Sequence, residues 1–559
     1  SFGAAVIGRT LQAAGYKVAI VPQPNWRDDL RDFRKLGRPR LFFGVSAGAM
    51  DSMVNHYTAA RRLRHDDAYT PGGRHGMRPD YPTVVYSRIL KDLYPDVPVI
   101  AGGIEASMRR VTHYDYWQDK LLPPILVDAP ADIIIYGMGE KATLEIARLI
   151  DKGVSVSDIT DVPQTCFFSS SDPGENDIVL QPFEVCLKDK NAQASNFRIV
   201  ETESNRMHGR VIYQSVKGRM IRINPMYPPM TTKELDATFD LPYTRLPHPR
   251  YRGKTIPAYE MIRHSVCMHR GCFGGCAFCT ISAHQGKFIA SRSKDSIVRE
   301  VKQVVSMPDF KGYISDLGGP SANMYAMGGR DKSLCEKCAR PSCLHPKPCH
   351  NLDNDHRPLL DIYKAVDALP GVKKSFIGSG VRYDLCMAPN PDREKAKANR
   401  RYMSELIRNH VSGRLKVAPE HTSDNVLSIM RKPAFSLFRD FKRIFDEENR
   451  NAGLRQQIIP YFISSHPGCR EEDMAELAAL TKELNFHLEQ VQDFTPTPMT
   501  LSTEIYYTGI NPYTGEKVFT PRTPRQKEDQ RKFFFWYKPE LKREIIDRLR
   551  RLHRPDLID

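Results

Sequence analysis

Residues 270–287 read "RGCFGGCAFCTISAHQGK", and their three cysteines, Cys272-x3-Cys276-x2-Cys279, govern how the rest of the chain is read. Three thiolates can hold three irons of a [4Fe–4S] cube and leave the fourth iron open. An open iron is what chemistry requires, whereas four cysteines close the cluster and suit electron transfer or structure. Gly271, Gly274 and Gly275 relax the φ restrictions on a loop that has to wrap a bulky cluster. The other metal open to this spacing is zinc, which wants a fourth ligand that Cys267, His264 or His269 could supply.

Working outward, the loop follows the strand-like "EMIRHSVCM", and a regular series runs on from it. A helix is expected from about Ser293 to Met307, with Ile297, Val298, Val301, Val304 and Val305 on one face and Pro308 beyond its end. "GYISDLGG", "LLDIYKAVDAL", "KKSFIGSG", "KANRRYMSELIRNH", "GRLKVAPE", "SDNVLSIMRK", "QQIIPYFISS", "EEDMAELAALTKEL" and "HLEQVQDFTP" continue the alternation of strand and helix. Six such steps, with strands of six to ten residues, point to a partial (βα)6 barrel of TIM type over 256–499, its active face at the C-terminal strand ends. Candidate residues recur at those ends. Gly318 and Gly319 end the second strand, "GSGVRYD" with Ser379 and Arg382 follows the third, and Glu420 and His421 follow the fourth. Each alone reads as a turn or cap residue.

Upstream, residues 1–160 alternate amphipathic helices with short apolar runs such as "KVAIVPQP", "RLFFGVSAGAM", "VPVIAGGIEAS" and "ADIIIYGMGE". That pattern makes an α/β domain with a doubly wound, Rossmann-like sheet. The chain starts at Ser1 rather than Met and on a helix, so it is read as a fragment or processed chain whose first strand lies upstream. Residues 161–255 turn polar, with "SSSDPGEND", "MYPPM" and "LPHPRYRG", and are read as a linker with a small β element. The basic, aromatic segment 500–559 is expected to be helical and to pack on the barrel.

The bulk numbers exclude less. At roughly 150 residues per domain, 559 residues make about three or four domains. No run approaches the ~20 apolar residues of a membrane span, so no membrane partner is expected and the chain is placed in the cytoplasm. The formal charge of +16 suits a solvated surface or attraction to a polyanion such as RNA, but the basic residues are scattered rather than gathered on a stripe. Of 12 cysteines none precedes Cys166, and two local clusters in a chain of this size point to metal rather than disulfides. The second cluster, "CEKCARPSCLHPKPCH", gives Cys335-x2-Cys338-x4-Cys343-x5-Cys349 inside an insertion at 330–351. Four thiols there could close an auxiliary [4Fe–4S] cluster or a zinc site.

The first loop resembles the hallmark of the radical S-adenosylmethionine (SAM) superfamily, Cys-x3-Cys-x-aromatic-Cys, with Phe278 as the aromatic. The resemblance implies that SAM chelates the open iron and that Phe278 packs near the adenine. It also implies that the Gly318–Gly319 backbone meets the SAM amino group and that Arg382 serves as a charge partner. One-electron cleavage then gives methionine and a 5′-deoxyadenosyl radical that abstracts a substrate hydrogen, so a flavodoxin- or ferredoxin-type reductant is implied as partner. More narrowly, "HYDYWQDKLL", "GGIEASMRR", "DLGGPSANMY", "VAPEHTSD", "IPYFISSHPG" and "YYTGINPYTGE" follow one another as in the YgiQ family (UPF0313), over nearly the whole chain. That family's N-terminal domain is similar to a cobalamin-binding module. The Asp-x-His-x-x-Gly cobalamin motif is absent here, and bound cobalamin is not expected. The barrel is also similar to that of methylthiotransferases, but residues 1–160 hold none of the cysteines those enzymes place in that domain. Two functions stand at this point: a radical SAM enzyme of unassigned substrate, RNA among the candidates, and a zinc-stabilised nucleic-acid-binding protein without SAM chemistry.

Overall fold

The computed structural model describes residues 2–489 and 491–558. Apolar runs without alternation make its first strands. "VPVIAGG" and "ADIIIYG" yield Val99–Gly102 and Ile133–Ile135, buried on both faces, which pair in parallel with each other and, through Val99–Gly102, with Phe43–Ser46. Helix Pro82–Leu93, opened by a proline in its first turn, and helix Glu140–Asp151, which buries Ala142, Thr143, Ile146 and Ala147, flank these strands. Helix Phe2–Ala13 packs on Glu140–Asp151.

Residues 161–255, expected as a linker with a β element of its own, extend this same sheet. Thr165–Ser169 adds antiparallel to Ile133–Ile135, and Arg219–Ile223, Ile212–Val216 and Ile178–Leu180 follow to make seven strands in one mixed sheet. These added strands read as polar because antiparallel strands keep one face near water; in Arg219–Ile223 the buried Ile221 and Ile223 alternate with Arg222. The run "SSSDPGEND" is only the loop between two of them. Helix Lys190–Ser204 also lies in this stretch, capped by the Asp189 carboxylate on Asn191 N–H.

The second half alternates strand and helix. Ser265–Cys267 pairs in parallel with Asp316–Gly318, and Tyr313–Ile314 with Lys374–Ser375. Arg414–Glu420, Gln457–Ser464 and Val491–Asp493 form a three-stranded parallel sheet. Helices Lys294–Val305, Arg357–Asp367, Arg393–Asn409, Phe435–Asn451 and Glu471–Glu483 separate successive strands. Ser293 caps the first of these through Ser296 N–H, and Phe435–Asn451 drives Phe438, Phe441 and Phe445 into the core. Several ladders are shorter than the apolar runs, because strand ends are diverted to side chains. Asp316 takes the Gly378 and Ser379 N–H groups (2.8 and 3.1 Å), which a longer ladder would have used. The step from the third strand to the fourth is carried by Ile377 N–H donating to His410 C=O (3.0 Å).

The C-terminal segment forms helices Leu501–Thr508, Pro524–Lys532 and Pro539–Arg551. Leu501–Thr508 packs on Lys190–Ser204, so this segment contacts both halves rather than the second alone. Among the described residues no helix is long and apolar enough to cross a membrane.

Candidate active site

The cysteine loop leaves the strand Ser265–Cys267 and is pinned at its base by a two-residue antiparallel ladder, His269–Arg270 against Ala290–Ser291. Inside it, Cys272 N–H donates to Gly286 C=O (3.1 Å) and Cys279 N–H to Cys276 C=O (3.1 Å). The Ala277 peptide is clamped from both sides: its N–H donates to Met430 C=O (2.9 Å) and its C=O accepts from Ser502 N–H (2.9 Å). The segment between Cys276 and Cys279 is thus fixed by two elements far away in sequence. Glycine is required at Gly275, whose φ is +60° and whose Cβ would lie 2.2 Å from Pro341 C=O.

Burial pushes the Cys279 thiol up to about 12, and the neighbouring Cys276 and Cys272 add to it. Burial also raises Cys272, with Cys276 adding and Arg382 opposing. Buried thiols such as those of Cys272 and Cys279 are poor free acids and become stable anions only against positive charge or metal. One cation is in place. Arg382 Nη1 donates to Cys276 Sγ (3.2 Å), while its Nε donates to Asp384 Oδ1 (2.8 Å) and its N–H to Asn323 Oδ1 (2.8 Å). A Cβ on Gly274 would stand 2.7 Å from Arg382 Nη1, so this close approach needs the glycine.

Glu420 closes its strand with φ at +70°, is 7% exposed, and faces Lys432 Nζ at 3.7 Å. Burial raises its carboxyl, opposed by Lys432 and Arg382. Gly318 and Gly319 admit no side chain: a Cβ on the first would meet Ser379 Oγ at 2.4 Å and on the second the His269 ring at 2.4 Å. The Ser379 hydroxyl is committed to Asp316, which it bonds at short range. Phe278 lies edge-on to His466, at 6.1 Å between centroids. Burial pushes His466 down to about 3, so the ring is neutral, donating from Nδ1 to Pro467 C=O and accepting Ser502 Oγ–H at Nε2 (2.6 Å). The structure therefore gathers Cys272, Cys276, Cys279, Arg382 and Glu420 within charge interaction, and sets Gly318, Gly319 and Ser379 together at neighbouring strand ends.

Two of the three candidate fourth zinc ligands face other groups, while both ring nitrogens of the third, His269, are buried without a hydrogen-bond partner. Cys267 Sγ donates to His269 C=O (3.2 Å) among Arg270, Glu300 and Arg292, and His264 faces Asp309 (3.4 Å). Among the described residues no three His, Cys, Asp or Glu side chains converge on a point that one metal ion would occupy.

Sequence reading did not single out several partners. Asp384 orients Arg382, Lys432 faces Glu420, and Asp316 ties Gly378 and Ser379; the first stands two residues beyond Arg382 and the last two before Gly318, so spacing alone could have raised them. The crevice beside Cys276 and Cys279 is walled by Phe197, Glu201, Ser204 and Asn205, by Pro341, and by Met499–Leu501. The first four come from helix Lys190–Ser204 and the residue after it, which gave no signal in the sequence. Behind this wall Glu504, on the helix after Thr500, accepts from Gln193 Nε2 (3.1 Å).

The insertion is built in the same way as the first loop, pinned at its base by Gly328–Gly329 against Leu352–Asp353. Burial pushes Cys343 up to about 11; Lys287 opposes this, and Cys349, Cys338 and Cys335 add to it. The four thiols thus share one neighbourhood, and the loop lies directly on the first: Cys343 N–H donates to Phe273 C=O (3.0 Å) and Ser342 Oγ to Gly274 C=O (2.7 Å).

Residues 1–265 match the family model described as radical SAM N-terminal, and residues 489–559 match a domain of unknown function. The chain is 64% identical to a UPF0313 protein of Bacteroides thetaiotaomicron, over 100% of this chain and 92% of the relative. Identity to those of Porphyromonas gingivalis (100% and 89% covered) and Methanocella arvoryzae (100% and 91%) is 63% and 45%. The chain belongs to the UPF0313 family.

Solved structures resembling it include the radical SAM methyltransferase TsrM from Kitasatospora setae with cobalamin and [4Fe–4S] cluster bound. Its TM-score is 0.49 and its identity 14%, over 89% of this chain and 71% of that one. Another is the cobalamin-dependent radical SAM enzyme OxsB, with a TM-score of 0.40 and 12% identity over 76% and 44%. The expectation that cobalamin is not bound is corrected here: radical SAM structures that match this chain carry cobalamin, so the missing Asp-x-His-x-x-Gly motif does not support an exclusion. Likenesses of this size assign no ligand to this chain either.

Proposed function

We propose that the chain is a radical SAM enzyme that holds its catalytic [4Fe–4S] cluster at Cys272, Cys276 and Cys279, at the mouth of a six-step partial βα barrel. The observation that carries the reading is a three-thiol loop with a fixed cation, Arg382, on one thiol and a crevice beside two of them. Bound there, the cluster would supply the electron that splits SAM into methionine and a 5′-deoxyadenosyl radical able to take hydrogen from a substrate. The chain's own residues hold and shield. Arg382, gripped by Asp384, presents a guanidinium suited to the SAM carboxylate. Gly318 and Gly319 leave backbone bare for its amino group, and Phe278 offers an aromatic face toward the adenine. Helix Lys190–Ser204 and Met499–Leu501 wall the crevice and keep water from a reactive radical. A one-electron protein donor of flavodoxin or ferredoxin type would supply the electron.

Anaerobically purified protein is expected to be brown and, given SAM and a strong reductant, to release 5′-deoxyadenosine; Cys276→Ala is expected to abolish that release. Colourless protein with stoichiometric zinc would overturn the reading.

A further inference from the structure

Lys287 is 2% exposed, and none of its three partners is a carboxylate: Nζ donates to Arg340 C=O (2.8 Å), lies 3.6 Å from Cys338 Sγ and stands 4.9 Å from the centre of the Phe288 ring. A buried ammonium needs an anion, and the groups around it are thiols. Cys335 and Cys343 both interact with its charge, and with those of the remaining cysteines of the insertion. Two further N–H groups aim at sulfur: Arg340 N–H at Cys338 Sγ (3.4 Å) and Asn351 Nδ2 at Cys335 Sγ (3.4 Å). Gly329 leaves room for the Cys335 sulfur, which a Cβ there would approach to 2.3 Å. Donors and a cation turned toward sulfur are what an anionic thiolate cluster calls for.

The position of this site relative to the first loop gives it a role. Cys272 from the first loop and Cys343 and Cys349 from the second pack against one apolar floor that includes Phe273, Met324 and Leu352. Phe273, the residue after Cys272, accepts the Cys343 N–H at its carbonyl. Four cysteines leave no iron open, so neither SAM nor substrate can ligate there.

Resting on the radical SAM reading above, we propose that Cys335, Cys338, Cys343 and Cys349 hold a second, closed [4Fe–4S] cluster, with Lys287 as its counter-cation, that relays single electrons to the first. The protein donor is oxidised by one electron, the relay takes that electron and returns to its starting state, and the first cluster is reduced by one. No bond forms or breaks and no proton moves.

The test compares wild type, the triple variant Cys272→Ala/Cys276→Ala/Cys279→Ala, and the double variant Cys338→Ser/Cys343→Ser, all full length and anaerobically prepared. Iron, sulfide and zinc are counted and the reduced proteins examined by electron paramagnetic resonance. Wild type is expected to hold about eight irons and each variant about four. The signal of the double variant should change on adding SAM, and that of the triple variant should not. Reduction of the first cluster by reduced flavodoxin should slow at least tenfold in the double variant. One zinc and no iron in the triple variant overturns the second cluster while leaving the radical SAM reading intact, as does an unslowed reduction for the relay. A double variant without iron beside a triple variant with about four overturns the radical SAM reading instead. Should the double variant not fold, Lys287→Gln answers: it is expected to keep about eight irons and to lower the potential of the SAM-insensitive signal alone, because a lost cation destabilises the reduced form. An unchanged potential counts against the assignment.

Discussion

Arg382 joins two functions in one side chain, since the same guanidinium that bonds Cys276 Sγ is held flat by Asp384. Its fork geometry matters more than its charge, because lysine cannot bond the carboxylate and the sulfur edge together. Arg382→Lys is therefore expected to keep the iron content of the wild type while weakening SAM binding. A hydrogen bond to a charged group is worth about 1.5–3 kcal/mol, so the dissociation constant should rise roughly 10- to 150-fold. Equilibrium dialysis with labelled SAM measures this, and an unchanged constant would remove Arg382 from the SAM site. The cysteines and Arg382 stand out as candidates in the sequence because their signal is local: spacing within one loop, or position just past an apolar run. The hydrogen bond from Cys343 to Phe273, or the ion pair of Arg431 with Glu201 (2.8 Å), joins residues far apart in the chain, and no local pattern encodes it.

Helices and strands were readable to the degree that one face is apolar. Lys294–Val305 and Phe435–Asn451 announce themselves through buried Ile, Val and Phe at helical spacing. Lys190–Ser204 does not, because much of what it buries is small or polar: Ala192, Gln193, Ala194, Asn196 and Glu203 beside Phe197 and Val200. It is held instead by its partner helix Leu501–Thr508, and at their contact Glu504 is buried with Gln193 on one oxygen and no partner on the other. Burial pushes Glu504 up to about 7, with Gln193 opposing. The folded state thus binds a proton that the unfolded chain has released above about 4.5. That contribution is complete below the unfolded value, fades as pH rises toward 7, and is gone above it. A shift of this size corresponds to roughly 3 kcal/mol. Glu504→Gln mimics the protonated acid at every pH, so its stability advantage over wild type should grow between pH 5 and 7 and then level off. Urea midpoints across that range are the measurement; parallel curves for the two proteins would mean the carboxyl is not buried as described.

The two halves of the molecule are fastened by the C-terminal helices, which place side chains in both. Helix Pro524–Lys532 sends Lys527 between Tyr116 of the first half and Tyr506 near the end of the chain, donating to both hydroxyls (2.8 and 3.1 Å). The ammonium also lies 4.7 and 5.0 Å from the two ring centres. Burial pushes Lys527 down to about 8; Arg61 adds to the fall, while Asp493 and Asp119 oppose it. The sign is opposite to that of Glu504. The unfolded chain keeps its proton up to about 10.5, the folded one releases it near 8, so stability rises with pH between these values and is flat below 8. Lys527→Met keeps the length of the stem and removes the titration. Relative to this variant, wild type should gain up to about 1.4 kcal/mol per pH unit from pH 8 to 10, and nothing from pH 6 to 7.5. Because the clasp spans both halves, the gain should appear in one cooperative transition when unfolding is followed at once by far-ultraviolet dichroism and by tyrosine fluorescence. Two separate transitions, with only the later one responding to pH, would show that the halves unfold independently and that Lys527 stabilises the C-terminal helices alone.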